Sequence, residues 1–192
     1  MAPTLTKFSG PVKMLNLLET CELSIENPGF SCYPWNVSEK LKSLDELKGL
    51  IAAAKTKGEI VVFTNGCFDL LHRGHIHLLR EAKALGDLLV VAVNSDRSVK
   101  LIKGLARPIV SETDRVELIA ALEMVDYVLS FDEPDPYHIV SILRPNIIVK
   151  GGDWSAAQVV GGDLVQRNGG KVVVVPYLKG FSTTEIIAKI RS

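Results

Sequence analysis

Cysteine is sparse in this chain: Cys21, Cys32 and Cys67 are far apart, odd in number and never in C-x-x-C spacing. Such a set gives no zinc site and favours reduced thiols in a cytoplasm. Net charge is absent too, with 22 basic residues against 22 acidic ones. A general nucleic-acid or membrane-surface binder carries a basic excess, so neither is expected, and any phosphate ligand has to be met by local positive charge. No run approaches the roughly 20 uninterrupted apolar residues of a membrane span. Met1 to Pro11 has no basic stretch leading into an apolar core, so no signal peptide is read there. The common chemical fingerprints are also missing. There is no G-x-x-x-x-G-K-[ST], no G-x-G-x-x-G, no Ser-His-Asp elbow and no Cys-His nucleophile arrangement, so kinase, dehydrogenase and covalent-catalysis readings lose their main support.

What is present centres on Val61 to His75, VVFTNGCFDLLHRGH. The run from Ile60 to Thr64 is short, β-branched and aromatic, and Asn65-Gly66 closes it, as suits a strand covered on both faces. Ile76, Leu79, Ala82 and Leu85 then fall at helical spacing before Gly86. A strand feeding a helix through a glycine turn aims backbone N–H groups and the positive end of the helix dipole at one spot, which suits an anion. His72 and His75 are three apart, so both rings lie on one side of the helix's first turn. Two neutral imidazole donors there can follow charge building on a phosphate oxygen. Gly74 between them leaves room for a nucleotide near the backbone. The plain alternative is a surface loop with solvated histidines.

The remaining pattern is a series of such units. Residues 1–37 form an N-terminal extension that carries no assigned chemistry, with a short amphipathic spacing over Val12 to Leu23 that Asn27-Pro28-Gly29 ends. From 38 to 192 lies one domain. Ser43 and Glu46 make a capping box for a helix reaching Lys57-Gly58. Leu88 to Val93, Tyr127 to Phe131, Asn146 to Val149 and Lys171 to Val175 are further strands, with helices predicted after Ser111, over Tyr137 to Leu143 and after Ser182. Arg97 to Arg115 gathers five cations around Lys103-Gly104 and Arg107-Pro108 and reads as a mobile basic loop, or else as an ordinary solvated one. Arg115 stands in a helix's first turn, where a cation is disfavoured, which hints at an anionic ligand. Ser182-Thr183-Thr184-Glu185 opens another anion-ready helix start, or serves only as a cap. Strands alternating with helices predict an α/β, Rossmann-like fold with about five parallel strands and helices on both faces. Polar loops should gather at one sheet edge. Such parts fit a reaction that needs positioning and charge stabilisation, such as phosphate attack on a nucleoside triphosphate.

Thr64-Asn-Gly-Cys-Phe-Asp-Leu-Leu-His-Arg-Gly-His75 resembles the signature of the H-x-G-H nucleotidyltransferases, the cytidylyltransferase-like superfamily. The likeness continues through Val93 to Asp96, Lys103-Gly104, Arg107-Pro108, Arg115, Val125-Asp126, Val149 to Trp154 and Ser182 to Ile187, so it covers roughly Leu41 to Ile190. Within that superfamily the chain most resembles the adenylyltransferase domain of the bifunctional heptose kinase/adenylyltransferases. The resemblance implies transfer of an adenylyl group from ATP, with Mg²⁺, to D-glycero-β-D-manno-heptose 1-phosphate. The products are ADP-heptose for lipopolysaccharide core assembly and pyrophosphate. By the same resemblance, His72, His75, Lys103 and Arg115 are the catalytic set. Asn65, Gly66, Cys67, Phe68, Gly74, Gly151, Gly152, Asp153, Ser182 and Thr183 bind nucleotide. Asp69 and Asp96 meet the sugar phosphate or a metal-linked group, although no direct metal motif is present. A cytoplasmic homodimer with small-molecule substrates is implied. Glycerol-phosphate cytidylyltransferases share most of these motifs; some carry an arginine just before Ser-Thr-Thr, where this chain has Tyr177 to Gly180. A non-catalytic nucleotide-binding module is the alternative of another class.

Overall fold

The computed structural model describes residues 37–152 and 155–192. The expectations for residues 1–36 and for Asp153 fall outside the described residues. The described domain runs from Val37 to Ser192.

Five parallel strands form one sheet in the order β3-β2-β1-β4-β5. They are β1 (Val61–Gly66), β2 (Leu88–Asn94), β3 (Tyr127–Phe131), β4 (Ile147–Gly151) and β5 (Lys171–Val175). The helices are α1 (Val37–Lys40), α2 (Leu44–Thr56), α3 (Arg73–Lys83), α4 (Asp96–Lys103), α5 (Glu112–Ala120), α6 (Tyr137–Leu143), α7 (Gly162–Arg167) and α8 (Thr183–Arg191). A 3-10 turn covers Ala156–Gln158.

The β-branched strands explain the layering. Successive side chains point to opposite faces of a strand, so Val61 and Phe63 join α2, α6 and α7 in one core while Val62 joins α3 and α5 in the other. Both faces of the sheet are thereby covered, which a parallel sheet requires. Registers such as Thr64 opposite Val91 and Val149 put the carboxyl ends of β1, β2 and β4 side by side. Strand β1 lies between β2 and β4, at the point where the strand order reverses, and ligands of open α/β sheets bind there.

Two sequence expectations are corrected here. Strand β1 continues through Asn65 and Gly66, so the turn proper begins at Cys67. The segment from Arg97 is not a loop until its end: Asp96–Lys103 is a helix, capped by the Ser95 side chain accepting from the Ser98 N–H. The cap satisfies an orphan amide that a loop would leave to solvent. Only residues 104–111 form the expected basic loop. No described helix is long and apolar enough to cross a membrane.

Candidate active site

A cavity of about 700 Å³ opens above the carboxyl ends of β1, β2, β4 and β5, between the first turns of α3 and α8. Its floor is the turn after β1. Phe68 and Leu70 both take left-handed backbone angles, φ 49° and 52°, which non-glycine residues adopt only where the surroundings hold them. The turn leaves the Cys67 and Phe68 N–H groups out of the backbone hydrogen bonding. A Cβ on Gly66 would stand 3.2 Å from the Phe68 ring, so glycine lets that ring fold back over the strand end.

His72 caps α3: its Nδ1 accepts the Gly74 N–H at 3.1 Å. An acceptor Nδ1 places the proton of the neutral ring on Nε2, which makes Nε2 a donor. The His75 ring stacks on it, with centroids 3.8 Å apart and planes 22° from parallel, and its other neighbour is the edge of Phe68. His75 Nδ1 is sealed and has no hydrogen-bond partner among the described residues, so a hydrogen bond to a ligand in the cavity runs through Nε2. The tight site for a Cβ at Gly74 is also explained. A Cβ there would lie 2.9 Å from the His72 ring and 3.2 Å from the Phe181 carbonyl. The glycine accommodates these protein groups and also lines the cavity.

Burial disfavours a charged imidazole. It lowers His72 from its ordinary value against the pull of Glu185. It pushes His75 down from 6.5 to about 4, with the His72 ring adding to the effect and Asp69 opposing it. The folded protein thus keeps His75 neutral at pH values where the unfolded chain binds a proton there. Stability from this group is complete above pH 6.5 and is lost as the pH falls from 6.5 towards 4. The total is roughly 3 kcal/mol. Urea midpoints at pH 7 and pH 5 should therefore fall more steeply in the natural protein than in His75→Gln; parallel falls would contradict the assignment.

The family model for cytidylyltransferase-like proteins matches residues 63–189. The chain belongs to the cytidylyltransferase-like family. Among its relatives, the bifunctional protein HldE of Geotalea uraniireducens is 49% identical over 153 residues, covering 80% of this chain and 31% of that protein. HldE of Geobacter sulfurreducens is 50% identical over 151 residues, 79% of this chain and 31% of the relative. HldE of Hydrogenovibrio crunogenus is 45% identical over 180 residues, 94% and 36% respectively. The chain thus spans about a third of the length of the curated relatives it matches. Among solved structures, the lipopolysaccharide core biosynthesis protein from Thermoplasma volcanium is 35% identical at a TM-score of 0.52, covering 65% of this chain and 100% of that one. Pantoate-β-alanine ligase from Francisella tularensis shares the fold, at 17% identity and a TM-score of 0.53 over 79% of this chain and 76% of that one.

The structure gathers Asn65, Gly66, Cys67, Phe68, His72, Gly74, His75, Lys103, Gly151, Ser182 and Thr183 around one cavity. Four residues stand otherwise. Arg115 is fully buried: its Nε donates to the Val110 carbonyl, Nη1 to the Cys67 carbonyl and Nη2 to Asp96. The anion that offsets its place in the first turn of α5 is therefore a protein carboxylate, and Arg115 braces the turn after β1 from below. Asp96 is the other half of that pair and does not line the cavity. Asp69 reaches the cavity wall, yet its buried carboxylate accepts from Arg107 Nε and from the Ile109 and Val110 N–H groups. Burial alone would raise its pKa; the Val110 and Ile109 amides and Arg107 outweigh that and hold it below the usual carboxylate range. Gly152 is buried and donates to the Val175 carbonyl, so it shapes the turn without reaching the cavity. Ser182 caps α8 through the Glu185 N–H, and the Thr183 hydroxyl donates to the Asp69 carbonyl at 2.7 Å.

Three more cations belong here; the sequence placed Arg107 in the basic loop and Lys179 before Ser-Thr-Thr without assigning either to the site, and it assigned Lys150 no role. Arg107, tied to Asp69, lines the cavity beside Lys103. Lys179 lines it in the stretch before Ser182. Lys150, near the end of β4, lies beneath Cys67 and Asn65 with its Nζ 3.0 Å from Asn65 Oδ1. The only signal for Lys150 was a lysine ending an apolar strand before two glycines.

Proposed function

We propose that this domain transfers an adenylyl group from ATP to D-glycero-β-D-manno-heptose 1-phosphate, releasing pyrophosphate and yielding ADP-heptose for lipopolysaccharide core assembly. The observation that carries the reading is the pair of stacked, neutral imidazoles at the start of α3, facing a cavity that also holds free amides and cations. The relatives named HldE and the lipopolysaccharide core biosynthesis protein support this choice of substrate.

In the reaction a phosphate oxygen of the sugar phosphate bonds to the α-phosphorus of ATP while the bond from that phosphorus to the bridging oxygen breaks. Both electrons of the broken bond leave with pyrophosphate, so no covalent enzyme intermediate is needed. The protein's share is positioning and charge stabilisation. The Cys67 and Phe68 amides and the dipole of α3 hold phosphate oxygens. His72 Nε2–H and the His75 ring meet charge as it builds, and Lys103 and Arg107 neutralise the polyphosphate from above.

Among the described residues no group of three or more His, Cys, Asp or Glu side chains could hold a metal ion, and both candidate carboxylates are engaged by arginines. These residues do not fit a protein-held Mg²⁺; the ion belongs to the MgATP substrate. A cytoplasmic homodimer completes this reading.

The decisive assay is pyrophosphate release from ATP or CTP with heptose 1-phosphate or glycerol 3-phosphate. ATP with the heptose phosphate should turn over at least tenfold faster than any other pair. CTP with glycerol phosphate winning would make the protein a cytidylyltransferase, and nucleotide binding without turnover on any acceptor would make it a binding module.

A further inference from the structure

We propose that Lys150 is a phosphate-binding cation of this site, its ammonium taking an oxygen of a substrate phosphoryl group where it now meets Asn65. The inference builds on the substrates proposed above but rests on Lys150's own surroundings.

The two arginines packed around the turn after β1 are each neutralised by the protein itself. Arg115 is matched by Asp96 and Arg107 by Asp69, each a charged partner in contact. Lys150, on the wall of the same cavity, differs from them. It takes part in no ion pair among the described residues. Among the described residues its Nζ donates to Asn65 Oδ1 at 3.0 Å and to the Asn65 carbonyl at 3.3 Å. Both acceptors are neutral, and an ammonium has three donors, so the described residues leave one N–H to a further acceptor.

A charge removed from water without a counter-charge is costly. Burial accordingly holds this ammonium below the usual lysine range, and Lys103 pushes it further down. The place is the boundary between β1 and β4 at the centre of the sheet, on the cavity wall. An arriving phosphoryl oxygen would supply a negative charge that the described neighbours do not. Asn65 can give up its side-chain contact by rotation, because its carbonyl still holds the Nζ. Phosphoryl oxygens come from two sources here, the triphosphate of ATP and the monophosphate of the acceptor.

The test is calorimetric titration of the full chain with MgATP and, separately, with heptose 1-phosphate, beside thermal unfolding. Lys150→Met removes the charge at nearly constant shape. It should weaken binding of one of the two ligands by about ten- to a hundredfold, the loss of one charge-assisted hydrogen bond. Its melting temperature should be unchanged or higher, because an uncompensated ammonium is gone. Lys150→Gln, which can still donate to Asn65 but carries no charge, should show the same loss, and Lys150→Arg should recover part of it. Loss in the MgATP arm assigns Lys150 to the triphosphate; loss in the acceptor arm assigns it to the acceptor. Both ligands binding Lys150→Met within twofold of the natural protein would overturn the inference, as would normal binding by Lys150→Gln. Binding is read without turnover, so failure of the proposed reaction shows separately, as natural protein that binds ligands and releases no pyrophosphate.

Discussion

His75→Ala is expected to lower kcat for pyrophosphate release by about 10²- to 10³-fold, the usual cost of removing one donor aimed at developing charge, while MgATP affinity changes only a few fold. The split follows from the ring's protonation. Held at about 4 by burial, His75 is neutral at pH 7 and adds little Coulomb attraction for the ground-state triphosphate. A neutral donor matters most when the oxygen it faces gains charge, which happens in the transition state. His72 supports it from one side by stacking, and the Gly74 N–H fixes the His72 proton on Nε2. His72→Ala should therefore lose turnover in the same sense and also loosen the start of α3. Steady-state rates beside equilibrium titration separate the two effects. Unchanged turnover in His75→Ala would remove it from the chemistry, and an equal loss in affinity and rate would make it a ground-state contact.

Asp69→Ala should be the most damaging substitution for stability. The carboxylate is 1% exposed and holds Arg107 together with the Ile109 and Val110 amides. Removing it strands one guanidinium and two N–H groups away from water, at about 3–5 kcal/mol. For a domain of this size that corresponds to a fall of roughly 10 °C in Tm. The basic loop would lose its tie to the turn after β1, so KM for MgATP should rise in whatever protein still folds. Asp69→Asn keeps the shape and one acceptor oxygen and should fall between the two. A melting temperature within two degrees of the natural value for Asp69→Ala would contradict this strut.

The sheet was legible because its strands are short β-branched runs that bury both faces, and the helices after Ser43, Ser111 and Ser182 announce themselves by their caps. The capping box at Ser43 and Glu46 closes as the spacing predicts, and the pairing of His72 with His75 follows from three-residue spacing alone. Helix α4 was hidden because its short, largely polar sequence carries three basic residues that read as a loop, and its Ser95 cap lacks the acidic residue that completes a box. The charged groups were the least legible. Sequence shows that Arg115, Asp96 and Asp69 carry charge near the signature, but whether each faces a ligand or another side chain depends on contacts between residues far apart in the chain. Arg115 meets Asp96 across 19 positions and Asp69 meets Arg107 across 38. Lys150 was overlooked for a related reason, since its contact with Asn65 spans 85 positions and leaves no local pattern to read.

The strand order also governs how the site is made. Asn65 meets Lys150 across 85 positions, and Asp69 meets Thr183 across 114. Parallel ladders close through long loops, whose entropy must be spent before the pairing repays it, and chains dominated by such contacts fold slowly. No fragment containing only the histidine signature can assemble this cavity, because its walls come from β4, β5 and α8. Substrate binding therefore waits on the late, long-range pairings of the sheet. In hydrogen exchange, bound nucleotide should protect the central strands against global opening, while α8, which buries none of its residues, exchanges through local fraying.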